Sequence, residues 1–123
     1  MRIIIAIGAG SFIGGISRYL LSQFIHAKFL STFPLGTLSV NIIGCFLIGL
    51  VFGYADKGAL TQEWRLFLAT GLIGGFTTFS AFSNETVGLL RDGQLWYASA
   101  YIVVSIGFGL FTTLIGTTII KFL

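Results

Sequence analysis

Charge is scarce in this chain: Asp, Glu, Lys and Arg together make up 9% of its 123 residues, and only four of them are acidic. So little charge excludes a water-soluble globular domain, in which about a quarter of the residues are charged. A single cysteine, Cys45, excludes an intramolecular disulfide, and in its apolar run it reads as a small packing residue. With one histidine, His26, no Ser/His/Asp set and no cluster of metal-ligating side chains, nothing here equips the protein for catalysis. Its only proline, Pro34, stands at the mouth of an apolar run, where a first helical turn tolerates it. The net charge of +3 comes from scattered basic residues, with no patch that would hold nucleic acid.

What the chain does have is apolar length. Mean hydropathy is +0.97, and 55% of residues are hydrophobic. Four stretches, 3–25, 35–55, 64–90 and 95–122, each reach the ~20 residues needed to cross a bilayer core. The expected fold is therefore all-α and integral to the membrane, one domain over 1–123 with four transmembrane helices and short loops. The first stretch opens on Arg2 as a secretion signal would, but it is longer and carries Arg18 and Tyr19 towards its far end, so it reads as a mature helix. Asp92-Gly93 reads as a tight turn.

Four spans put both termini on one side of the membrane. That side holds Arg2, Lys57, Arg65 and Lys121; the other holds Arg18, by snorkelling, with Lys28 and Arg91. Because an excess of Lys and Arg in short loops sets orientation, four against three gives almost no instruction. Such a chain is expected to insert both ways, which suits an antiparallel, dual-topology homodimer.

Glycine is plentiful, at 17 residues. Gly10-x-x-x-Gly14, Gly49-x-x-x-Gly53 and Gly71-x-x-x-Gly75 read as faces for close helix packing. The decapeptide Gly74-Gly75-Phe76-Thr77-Thr78-Phe79-Ser80-Ala81-Phe82-Ser83 is different, because it sets glycines and β-branched hydroxyls inside the third span. Each glycine lowers helix preference by roughly 1 kcal/mol relative to Ala. The third helix is therefore expected to break mid-membrane, and freed carbonyls near Gly74 and Thr77 would either coordinate a monovalent cation or be satisfied by hydroxyls and neighbouring helices.

Asn41 is a strong polar group in the second span, suited either to an interhelical hydrogen bond or to an anion. Phe79 and Phe82 project from one helix face. Such a stripe is ordinarily core, but beside Thr77, Thr78, Ser80 and Ser83 its positively polarised ring edges would also suit an anion. Weak serial donors of this kind permit both entry and exit, and therefore conduction. In the fourth span Ser105, Gly109 and Thr113 share a face, where hydroxyls either form a track or bond their own backbone. Arg18 and Glu85 are the charges expected inside or near the bilayer, each snorkelling or paired.

Four spans, the decapeptide at 74–83, Asn41 within Gly-Thr-Leu-Ser-Val-Asn and Ser17-Arg18-Tyr19 together resemble the Fluc (CrcB) fluoride channels over the whole length. The resemblance implies an antiparallel homodimer in a microbial cell membrane, with two pores that export fluoride passively. It implies that Phe79 and Phe82 are paired pore rings, that Asn41 meets fluoride near the vestibule, and that Ser80 lines the path. Glu85 would be the acid beside the second pore ring, and Arg18 a base that concentrates anions at the entrance. The carbonyls of Gly74 and Thr77 from both subunits would hold a structural sodium ion. Gly109 departs from the family's hydroxyl track, leaving a gap between Ser105 and Thr113. The rival is a proton-coupled cation exporter of the small multidrug-resistance type, also four-helix and dual-topology. Such an exporter relies on a carboxylate in the first helix, and here that helix has none.

Overall fold

Helix ends follow from local chemistry in the computed structural model, which describes every residue from Met1 to Leu123. Helix α1 is Arg2–Lys28 and α2 is Leu35–Asp56, preceded by Pro34 at its cap position. The third span begins with α3, Gln62–Arg65, whose first turn is capped by the Thr61 hydroxyl accepting from the Trp64 N–H at 3.3 Å. A π-helical segment, Leu66–Ile73, follows, then α4, Gly74–Phe76, and α5, Phe79–Arg91. Helix α6, Leu95–Lys121, completes the chain.

Both α2 and α5 end on the same device. Gly58 (φ 71°) and Gly93 (φ 75°) take the left-handed conformation. That lets Gly58 and Ala59 donate back to the carbonyls of Ala55 and Tyr54, and Gly93 and Gln94 to those of Leu90 and Leu89. Each turn thereby reverses the chain within a few residues.

Four helices are long and apolar enough to cross a membrane: Arg2–Lys28, Leu35–Asp56, Gln62–Arg91 and Leu95–Lys121. Twenty-seven helical residues extend ~40 Å, more than the ~30 Å hydrocarbon core. Lys28 lies past the apolar part of α1, its Nζ 5.6 Å from the centroid of the Phe24 ring.

Packing falls into two pairs, α2 with α6, and α1 with the π segment and α4. Glycines make both pairs close. Gly10-x-x-x-Gly14 meets Gly71-x-x-x-Gly75, so that a Cβ on Gly10 would lie 2.6 Å from the Phe67 carbonyl oxygen and one on Gly75 2.7 Å from that of Ser11. Only 19 of 123 residues are buried. The best-covered cluster, Leu38, Leu89, Ala98 and Tyr101, joins α2, α5 and α6 and carries Phe33 and Phe82 against it. With so small an interior, the chain relies on lipid or further protein to cover its apolar exterior.

Candidate functional site

The helical backbone of the third span stops at Phe76. Thr77 (φ −87°, ψ 157°) and Thr78 (φ −151°, ψ 117°) are extended, and helix resumes at Phe79. Two side chains organise this interruption. The Asn41 carboxamide pairs with Thr78 as a peptide group would: its Oδ1 accepts from the Thr78 N–H at 2.8 Å and its Nδ2 donates to the Thr78 carbonyl at 3.0 Å. The Thr78 hydroxyl in turn caps α5, accepting from the Ala81 N–H at 3.1 Å.

These bonds redirect donors that a continuous helix would use elsewhere. Thr78 N–H would have gone to the Gly74 carbonyl and Ala81 N–H to the Thr77 carbonyl; they go to Asn41 and to the Thr78 hydroxyl instead. Gly74 and Thr77 therefore lack their usual backbone donors. Thr77 keeps a turn upstream, since both its N–H (2.9 Å) and its hydroxyl (3.0 Å) donate to the Ile73 carbonyl. No cluster of three His, Cys, Asp or Glu side chains occurs, while backbone carbonyls of this kind are oxygen ligands of the type a hard cation takes.

A cavity of about 370 Å³ opens against the interruption. Its wall brings together Asn41, Gly74, Thr77, Phe79, Phe82 and Ser105 from α2, the third span and α6, with Cys45 and Thr78 beside them. One Asn41 amide hydrogen remains after the bond to Thr78. The Ser105 hydroxyl is buried without a hydrogen-bond partner. Phe79 is exposed, its ring centroid 5.6 Å from that of the partly buried Phe82, which packs 5.0 Å from Tyr101.

Four other residues singled out by the sequence lie away from this wall. Ser80 is exposed just beyond it, its hydroxyl 3.3 Å from that of Thr78. Arg18 is half-buried on α1. Thr113 shares its single hydroxyl hydrogen between the carbonyls of Gly109 (3.0 Å) and Cys45 (2.9 Å). It therefore joins α6 to α2, as does Thr117 through the Gly49 carbonyl. Of the fourth-span pair only Ser105 reaches the cavity.

Glu85 stands one turn beyond Phe82 and is held by two hydroxyls. Thr37 donates to Oε1 at 2.5 Å and Tyr101 to Oε2 at 3.0 Å, tying α5 to α2 and α6. Sequence reasoning missed both partners, because they lie on other helices with no spacing that relates them to Glu85. Tyr101 is fully buried, so Tyr101→Phe strips one carboxylate oxygen of its donor without opening space. A loss of about 1 kcal/mol is expected, the usual net worth of a hydrogen bond, since the Glu85 carboxylate is only partly buried. Thermal unfolding in detergent checks this, with Tyr97→Phe, exposed at the start of α6, as the control.

Comparisons with known proteins cover the whole of this arrangement. The chain is similar to a protein of Flavobacterium psychrophilum named "Fluoride-specific ion channel FluC", at 45% identity over 122 residues and 98% of each chain. It is similar to proteins of the same name from Granulibacter bethesdensis, at 49% over 105 residues covering 85% of this chain and 81% of the other, and from Prosthecochloris aestuarii, at 40% over 119 residues covering 96% and 92%. The profile of the family described as "CrcB-like protein, Camphor Resistance (CrcB)" matches residues 5–117. A match of that extent takes in both helix pairs, the interruption and every residue of the cavity wall, and the chain belongs to the CrcB family.

Proposed function

We propose that the protein is a fluoride-selective passive channel that exports fluoride across the cell membrane, working as an antiparallel, dual-topology homodimer with two pores. The observation that carries this reading is the convergence of Asn41, Phe79, Phe82 and Ser105 on one cavity, in a chain whose relatives are named fluoride-specific ion channels. The site offers an anion only neutral donors: the spare Asn41 N–H, the unpartnered Ser105 hydroxyl and the edges of two rings. Each is weak alone, and a series of weak contacts lets a strongly hydrated ion enter and leave.

The interruption contributes polarity of both signs. Placed at mid-membrane, it sets the N–H end of α5 towards the anion path, where a helix N-terminus favours negative charge. The carbonyls ending α4 have the opposite polarity. Those of Gly74 and Thr77, deprived of helical donors, fit the requirements of a sodium ion shared with a second subunit, and such an ion would supply fixed positive charge between the two copies. Exposed polar residues on α5, namely Ser80, Ser83 and Asn84, also favour cover by a second copy over contact with lipid. Of the remaining sequence candidates, Arg18 would concentrate anions at the entrance and Ser80 would extend the donor wall.

The exporter reading is not favoured. Such an exporter relies on a carboxylate in the first helix, where this chain has none, and Glu85 instead ties a helix junction through Thr37 and Tyr101. Liposomes reconstituted with the purified protein, loaded with fluoride and given a potassium shunt, are expected to release fluoride rapidly while chloride-loaded liposomes stay closed. Absence of fluoride release from verified dimers would overturn the channel reading.

A further inference from the structure

We infer that Asn41 is a positioning residue for the cation site as well as a donor to the anion path. By accepting the Thr78 N–H, its carboxamide oxygen keeps the Gly74 carbonyl free. This inference rests on the cation reading proposed above. In a continuous helix the Thr78 N–H is the donor that would satisfy the Gly74 oxygen. Here that N–H lies 2.8 Å from Asn41 Oδ1, and the return bond from Asn41 Nδ2 to the Thr78 carbonyl, at 3.0 Å, fixes the peptide plane on both sides. A two-point contact with one residue's main chain is a stronger orienting device than either bond alone.

One side chain thus faces two ways. The oxygen of Asn41 acts on the α4 carbonyls through Thr78, while its remaining N–H belongs to the cavity that holds Phe79 and Ser105. The two functions separate by substitution. Asn41→Leu removes the acceptor, leaving the Thr78 N–H to compete for the Gly74 oxygen, its partner in a continuous helix. Asn41→Asp keeps an acceptor for the Thr78 N–H but loses the return bond to the Thr78 carbonyl along with the cavity donor, and its carboxylate repels anions. Sodium affinity and fluoride flux should therefore respond differently to the same position.

The test is a sodium titration of the thermal midpoint of the detergent-solubilised dimer, with N-methylglucamine replacing sodium at constant ionic strength, run beside fluoride efflux. An ion bound by the folded state alone raises the midpoint as its concentration rises. For Asn41→Leu the sodium midpoint is expected to rise by about 10- to 100-fold, the usual consequence of removing a group that orients metal ligands. Asn41→Asp, which keeps that acceptor, is expected to raise the sodium midpoint much less than Asn41→Leu does, while losing fluoride efflux. An unchanged midpoint in folded Asn41→Leu, or a midpoint raised as far in Asn41→Asp, overturns the positioning role. If Asn41→Leu fails to fold, Asn41→Ala, which also lacks the acceptor, takes its place with the same expected rise. No sodium response in the parent overturns the cation reading itself, and the inference with it.

Discussion

Replacing Phe79 with isoleucine is expected to lower fluoride efflux about tenfold or more while leaving the dimer intact, a loss equivalent to roughly 1.4 kcal/mol at the barrier. Isoleucine keeps apolar bulk but has no ring edge to present to an anion. Phe79 is the cleaner of the two rings to change, because at 79% exposure in the single chain it contributes little to the packing of its own subunit. Phe82→Ile is expected to reduce flux similarly but also to cost stability, on the order of 1 kcal/mol, because that ring packs on Tyr101 and on the Leu38 and Leu89 cluster. Efflux should be measured per reconstituted dimer, with size-exclusion chromatography confirming assembly. Unchanged flux in both variants would reduce the phenylalanines to packing and favour a non-conducting assembly subunit.

Hydropathy marks the four spans because bilayer thickness imposes a minimum apolar length that composition alone reveals. The glycine faces at Gly10–Gly14 and Gly71–Gly75 were also legible, since the absence of a side chain is itself the packing signal. By contrast, nothing in Leu66–Ile73 distinguishes a π-helical turn from an α-helical one. The wider winding lies where the segment runs against the α1 backbone, a tertiary contact invisible in local preference.

Polar partners were the least legible feature. Asn41 stood out by its cost in a membrane, yet its bond to Thr78 spans 37 positions, and no periodicity relates the two. Glu85 stood out likewise, while Thr37 and Tyr101 passed unnoticed because hydroxyls are common in membrane helices. Thr113 has the spacing of a pore track, but its hydroxyl is engaged between Gly109 and Cys45. Spacing assigns a face; it does not say which carbonyl on the next helix competes for the proton.

That competition leaves the α2–α6 seam little room for added volume, and Gly49→Val should show it. A Cβ on Gly49 would overlap the Thr113 carbonyl oxygen and lie 3.0 Å from the Thr117 nitrogen, all of it main chain that no rotamer change relieves. On the facing helix, Gly116 meets the carbonyl oxygen of Phe46 just as closely, so α6 cannot slide to a better register without a second overlap. Separating the helices to admit valine would also stretch the bonds from Thr113 to the Cys45 carbonyl and from Thr117 to that of Gly49, now 2.9 and 3.3 Å. The expected loss is about 3 kcal/mol, the upper range for overpacking, enough to deplete folded protein from the membrane. Gly107→Ala, on α6 with open space around it, supplies the comparison and is expected to leave the fold intact. Yield of monodisperse protein and unfolding in mixed micelles measure the difference; a Gly49→Val protein as stable as the Gly107→Ala protein would show that the seam yields where its geometry says it cannot.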